Sequence, residues 1–425
     1  MRKLLALFGV AVLLTSAQPI HAQNDSDTYR QLNLFGDIFE RIRSDYVEDV
    51  SDAELIESAI KGMLAALDPH SGYLNAKSYQ EMQVQTRGEF GGLGIEVNME
   101  NGLVRVISPI EDTPAHRAGI AAGDLITHID GDAVRGLVLS EAVEKMRGPV
   151  DSQVTLTISR PDVNQPFDVD ITRAVITIQS VRSHAEGDAG YIRISSFTEQ
   201  TTSGLKRAME RLDEQLGDAM TGVILDLRGN PGGLLDQAVK VSDAFLDQGE
   251  IVSTRGRRSG DSQRFNARRG DIAKGKPLVI LINGGSASAS EIVAGALQDH
   301  GRAVILGTKS FGKGSVQTII PLAGQGAMRL TTSLYYTPSG RSIQAKGIDP
   351  DILVEQARLE TVTSRTRRNE ASLPNHIVTG QDEDSADGGG AQSAAPAEDR
   401  PFDFQLARAV DLLRGISLFG KKVVN

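Results

Sequence analysis

Two stretches of this chain carry residue types that could do chemistry: Gly285-Ser286-Ala287-Ser288-Ala289-Ser290-Glu291 and Phe311-Gly312-Lys313-Gly314-Ser315-Val316-Gln317. The first presents three serines at the mouth of a predicted helix. The second sets one lysine among small residues. A serine becomes a nucleophile only when a base takes its proton, and a lysine kept from water can be that base. The chain has no cysteine, and none of its seven histidines stands where a Ser-His-Asp set would need one. The chemistry on offer is acyl transfer by a Ser/Lys pair.

Each half of that reading has a plainer competitor. Ser288-Ala289-Ser290-Glu291 fits a capping box, so Ser288 could be only a helix N-cap worth about 1 kcal/mol. The same position suits a nucleophile, because N–H groups at a helix start stabilise a nearby oxyanion, and the Ala289 N–H is one candidate donor. A lysine titrates near 10.4, whereas a base at neutral pH wants a value closer to ~7–8. The gap is roughly 4 kcal/mol, within what burial supplies. Phe311, Gly312, Gly314 and Val316 are neighbours of the required kind. Gln317, four positions on, could orient the amine without adding a charge that would hold its proton.

A second oxyanion donor is offered by Asp226-Leu227-Arg228-Gly229-Asn230-Pro231-Gly232-Gly233, which follows an apolar strand at the end where α/β sheets place their sites. Adjacent glycines let the backbone approach a ligand closely or simply turn tightly, and the residues do not choose between Gly232 and Gly233. Two near-motifs fail. Gly314 stands where a phosphate-binding loop requires Ser or Thr, and the glycine-serine run at 284–288 ends in serine where a nucleophile elbow has glycine. The histidines show no metal spacing, His70 reads as a packed turn residue, and no metal or cofactor is expected. Gly92-Leu93-Gly94-Ile95 offers backbone N–H groups ahead of a strand. It is either a plain hairpin loop or a receiver of a terminal carboxylate whose strand edge pairs with bound peptide.

These groups need a scaffold, and 425 residues leave room for two or three domains. A net charge of −10 argues against a nucleic-acid partner. Arg2 and Lys3 precede an apolar run, Leu4–Leu14, and Ile20-His21-Ala22 offers a cleavage point: an export signal over residues 1–22, too short for a membrane span. Helical spacing predicts two helices between Tyr29 and Leu67, either core helices or an oligomerisation arm, separated by the Ser51-x-x-Glu54 capping box. The region from Phe90 to Ile178 reads as a compact, mainly β module. Apolar strands at 222–227, 278–283 and 303–307 alternate with helices at 236–246 and 290–300, which predicts a largely parallel sheet. Tyr191–Phe197 and Ser315–Leu322 are expected to extend that sheet. A polar linker (358–400, most biased over Gln381–Asp399) precedes a final helix from Phe402, which must dock on the chain's own body or on a partner subunit.

Together with Leu67-Asp68-Pro69-His70-Ser71, the motifs from Gly92-Leu93-Gly94-Ile95 to Phe311–Gln317 resemble, over about Leu34–Leu353, the carboxy-terminal processing peptidases, exported serine endoproteases with a PDZ domain. The resemblance implies an α/β (α+β overall) architecture. This would have a crotonase/ClpP-like protease core (176–357, with a contribution from 76–90), a mainly β PDZ domain (86–175), and helical N-terminal (27–75) and C-terminal (401–425) arms. It makes Ser288 the nucleophile, Lys313 the general base and Gln317 its orienting residue. The oxyanion hole would use Ala289 and either Gly232 or Gly233, and Gly92, Leu93, Gly94 and Ile95 would bind peptide. It further implies a periplasmic or envelope location, substrates with accessible C-termini, homo-oligomers paired through helical ends, and control by an envelope adaptor protein. The rival expectation is a catalytically silent PDZ scaffold or chaperone.

Overall fold

The computed structural model describes residues 22–161, 163–357 and 402–423, so the expected signal segment up to residue 21 and the polar linker lie outside the described residues. The chain divides into two compact units, a smaller one that ends at Tyr73 and includes Met328–Leu330, and a larger one that takes in the rest.

In the smaller unit, helices Ala22–Asp45 and Asp52–Ala65 form where helical spacing predicts them. Ser51 caps the second with its side chain on the Glu54 N–H, and Glu54 reaches back, completing the capping box. The core-helix reading of the first helix fails: Leu34, Ile38 and Ile42 lie exposed along it, and Tyr46, just past its end, is exposed as well. Asp68 closes the turn after the second helix by accepting from the His70 and Ser71 N–H groups, and the His70 carbonyl accepts from Arg329, so His70 is the packed turn residue expected.

The larger unit is α/β. Its main sheet runs in the order Val181–Glu186, Ala189–Ile194, Gly222–Asp226, Leu278–Ile282, Val304–Gly307, Ile352–Leu353, parallel except for the first pair. Successive side chains on a strand face opposite ways, and both faces are buried. Ile192, Val223, Leu225, Ile280 and Ile305 pack with helices Thr201–Leu216, Leu235–Asp243 and Ala289–Asp299. Tyr191, Ile224, Val279, Leu281 and Leu306 pack instead against Ala409, Val410 and Leu413 of the last helix, Phe404–Val423. The terminal helix therefore docks on the chain's own body. Contrary to expectation, Ser315–Leu322 does not extend this sheet. It pairs with Gly326–Tyr336, which pairs in turn with Glu250–Gly256 in a separate sheet.

The mainly β domain is an antiparallel sheet ordered Ile95–Glu100, Leu103–Pro109, Leu125–Ile129, Gln153–Ser159, Phe167–Thr172, closed over its own core by helix Leu139–Met146. A single helical turn, Pro114–Arg117, precedes strand Leu125–Ile129. Behind that turn Asp124, 1% exposed, accepts from Arg160 Nε and Nη2 at 2.7 and 2.8 Å and from the Ala121 N–H at 2.9 Å. Burial alone would raise its pKa, but these bonds outweigh burial and hold it below the usual carboxylate range. A depressed native pKa adds stability that is present above the unfolded value near 3.9 and is lost as pH falls through the native one. Asp124→Asn should cost the domain about 2 kcal/mol at pH 7, discounted for the partial exposure of Arg160. Thermal melts should show that gap closing on acidification, and a gap constant down to pH 2 would contradict the assignment.

Candidate active site

Three loops meet at the carboxyl ends of the parallel strands. One follows Gly222–Asp226, one follows Leu278–Ile282 and leads into helix Ala289–Asp299, and one follows Val304–Gly307. The three serines of the second loop are not equivalent. Ser286 Oγ donates to the Leu227 carbonyl at 2.8 Å and accepts from the Asn283 N–H, and Ser290 Oγ donates to the Asn230 carbonyl at 2.9 Å. Both are fully buried and hold loops together. Ser288 retains 7% exposure and makes no side-chain cap hydrogen bond, so the N-cap competitor is not what its hydroxyl does. Its backbone sits at φ 56°, ψ −113°, a region non-glycine residues avoid and which typically marks a site where geometry is enforced by the surroundings.

Two residues enforce it. Glu291, wholly buried, accepts four hydrogen bonds: Oε2 from the Ser288 N–H (2.7 Å) and the Lys313 N–H (2.9 Å), and Oε1 from Ser310 Oγ (2.6 Å) and the Gly312 N–H (2.7 Å). One carboxylate oxygen thus ties the backbone of the serine to that of the lysine. Asn230, equally buried, donates to the Ile194 carbonyl, accepts the Gly232 N–H at 2.9 Å on Oδ1, and takes the Ala287 N–H and Ser290 hydroxyl on its carbonyl. The glycine loop is thereby fastened to both sides of Ser288.

Gly232, at φ 103°, lies so close that a Cβ would stand 2.8 Å from Ser288 Cβ and 3.0 Å from the Ala289 nitrogen. Gly233, at φ 142°, would drive a Cβ to 2.1 Å from the Phe197 carbonyl. Only glycine fits either position. Lys313 is half-buried in the loop ahead of strand Ser315–Leu322, and Gln317 lies within that strand. The Gln317 amide nitrogen donates to Ser315 Oγ at 2.9 Å. Of the expected apolar neighbours of Lys313, Gly312 and Gly314 are buried and Val316 packs on the core, but Phe311 is 64% exposed.

Three contributors carry no local signal of their role. Glu291 fits a capping box in sequence and Asn230 a turn. Tyr335 had no local signal at all. Its ring lies in the core and its N–H donates to the Gly314 carbonyl at 2.7 Å. Burial pushes its phenol up to about 12, with the Ser288 side chain pulling the other way.

In the mainly β domain, Gly94 (φ 78°) would place a Cβ 2.3 Å from Thr113, and Leu93 is buried in the core. The Leu93 carbonyl accepts from the Ala115 N–H and the Gly94 carbonyl from the Ile110 N–H. Because the two ends of a peptide unit point oppositely, the Gly94 and Ile95 N–H groups face away from these bonds. Both residues line a groove beside strand Ile95–Glu100, which is the edge of its sheet. Gly92 lies at the end of strand Glu89–Gly92 and also lines that groove.

Family models for peptidase family S41, the PDZ domain and the activating protease CtpB N-terminal domain match residues 188–354, 91–171 and 12–78. The carboxy-terminal-processing protease of Bartonella bacilliformis is 54% identical over 411 residues, 96% of this chain and 94% of that protein. The carboxy-terminal processing protease CtpB of Bacillus subtilis is 35% identical over 347 residues, 80% of this chain and 72% of that protein. Among solved structures, a photosystem II D1 C-terminal processing protease is 30% identical with a TM-score of 0.45, over 78% of this chain and 88% of that one.

The Glu291 geometry carries its own test. Glu291→Gln replaces an acceptor-only group by one whose NH2 must face two donors, which should cost about 3 kcal/mol of stability. Denaturant unfolding and peptide hydrolysis should both report the loss, since the serine and lysine segments share that acceptor. A variant as stable and as active as the wild type would show that the shared acceptor does not matter.

Proposed function

Since the chain belongs to the family of carboxy-terminal-processing proteases, serine peptidases with a PDZ domain, we propose that it is an exported endoprotease of the cell envelope. In this reading it takes the C-terminal segment of a protein substrate on the PDZ groove and cuts an upstream peptide bond by Ser/Lys chemistry. Neutral Lys313 accepts the Ser288 hydroxyl proton as Oγ attacks the carbonyl carbon. The resulting oxyanion is met by N–H groups, the same proton passes to the departing amine, and water then hydrolyses the acyl-enzyme. The Gly232 N–H already donates to Asn230 Oδ1, so the oxyanion donors proposed are the N–H groups of Ala289 and Gly233. The Gln317 side-chain oxygen is the atom proposed to orient the lysine, its nitrogen being turned to Ser315.

One observation supports this reading above all. Ser286 and Ser290 have their hydroxyls on backbone carbonyls, whereas Ser288 stands at a strained helix start, fastened through Glu291 to the backbone of Lys313. Ser288→Ala should abolish cleavage of an unfolded protein substrate, while Ser286→Ala and Ser290→Ala, which remove loop contacts, retain part of it. Equal loss in all three, read from fragment formation on a gel, would overturn the assignment. Activity should rise with pH as Lys313 loses its proton. Tyr335, held up to about 12, stays protonated and cannot produce that limb. A histidine-like limb abolished by His70→Ala would contradict the mechanism.

The exposed apolar residues Leu34, Ile38 and Ile42, with Tyr46 just past the helix end, support a homo-oligomer paired through the N-terminal helix, since an apolar surface of this length favours a partner. Leu34→Asp with Ile38→Asp should lower the mass measured by light scattering. An unchanged mass would exclude this helix as the contact.

A further inference from the structure

The guanidinium of Arg228 sits between the glycine loop and the terminal helix, and all five of its N–H groups are engaged. Nε donates to Asp226 Oδ1 (3.0 Å), Nη2 to Asp226 Oδ2 (2.7 Å) and Asp403 Oδ2 (2.6 Å), and Nη1 to Asp403 Oδ1 (2.8 Å) and Gln405 Oε1 (3.0 Å). Asp226 is wholly buried and also accepts from the Tyr191 hydroxyl at 2.7 Å and from Arg193 Nη1 at 3.1 Å. Arg193 Nη2 in turn donates to the Arg228 carbonyl. On the helix side, Asp403 accepts the Leu406 N–H on Oδ1, and Gln405 donates to the Val354 carbonyl. Asp403 therefore caps the terminal helix and grips Arg228 with the same carboxylate.

We infer that Asp403 is a positioning residue for catalysis: through Arg228 the docked C-terminal helix fixes the 228–233 loop whose Gly233 N–H faces the reacting carbonyl. The inference rests on the Ser288 site proposed above. Its physical content is the bidentate Asp403–Arg228 fork, which fixes direction as well as distance. Arg228 is followed within five residues by Asn230, Gly232 and Gly233, and the Asn230 carboxamide transmits the register of the loop to Gly232. Without Asp403 the guanidinium keeps Asp226 but loses two of its five bonds. Arg228 then holds the helix through Gln405 alone, and the bidentate fork that fixes its direction is gone.

An oxyanion donor acts in the transition state and barely on the bound substrate, so the signature is in kcat rather than KM. The test measures Asp403→Ala and Asp403→Asn in the full chain, with a quenched-fluorescence peptide that the wild type cleaves and a peptide aldehyde of matching sequence, which forms a tetrahedral adduct with the serine. The result expected for Asp403→Ala is a roughly 10- to 100-fold fall in kcat, with KM within about twofold of wild type and aldehyde affinity falling in step with kcat. Asp403→Asn, which keeps the helix cap and removes the charge, should show a smaller loss of the same pattern, and it stands in if the alanine variant does not fold. Wild-type kcat in folded variants, or a kcat loss with unchanged aldehyde affinity, overturns the inference. Ser288→Ala distinguishes the two levels: if that variant still cleaves, the site reading fails whatever Asp403 does.

Discussion

A buried carboxylate must be met by donors, and at the centre of this molecule the donors that meet Glu291 come from the two segments that matter. Leaving such a group unsatisfied costs several kcal/mol. The turn at Ser288 and the loop at 310–313 are therefore not free to separate, because each supplies hydrogen bonds that the carboxylate needs. The same constraint explains how Ser288 can hold φ and ψ angles that would cost a free peptide one to three kcal/mol. Its N–H is fixed by Glu291, and Ala287 just before it and Ser290 two residues after it are fixed by Asn230. The strain persists because its neighbours are anchored to the folded loops around it.

This arrangement depends on the sheet in a second way. Parallel strands with apolar residues on both faces need cover on both. Helices between the strands cover one face, and the other is left to whatever the chain can bring back. The terminal helix fills that place through Ala409, Val410 and Leu413. Gly222 marks the contact, since a Cβ there would stand 2.7 Å from Leu413. The helix consequently starts with its cap beside the loop at the carboxyl ends of the strands, where Arg228 receives it.

Much of this was legible in the residues. Continuous apolar runs such as Val223–Leu225 and Leu278–Ile282 announced two-sided burial, the Ser51 capping box announced a helix start, and the serine and lysine motifs announced where chemistry could sit. What was not legible has a common cause. Alternation in Ser315–Leu322 specifies a strand but not its partner, and the strand went to a different sheet. Phe311 was apolar and was therefore placed inside, although its neighbours Gly312 and Gly314 take the buried room against residues 343–347. Glu291 fitted a local capping pattern so well that its long-range role was hidden, since Ser310, Gly312 and Lys313 lie far along the chain. Tyr335 and Asp403 act on partners that no local period connects to them.

The Asp226–Arg228–Asp403 network shows why such long-range polar groups are informative. Buried ion pairs of this kind are seldom more stabilising than well-packed apolar residues of the same volume, so stability alone gives no reason for one here. Apolar side chains could hold the helix on the sheet, as Ala409 and Leu413 already do, but a non-directional contact tolerates sliding. A guanidinium with every N–H directed at a named oxygen does not, because a small rotation breaks several bonds together. Where the helix meets the sheet the contacts are apolar, and where it meets the glycine loop they are directional. The change occurs at the point where a shift of a backbone N–H would be felt by the reaction.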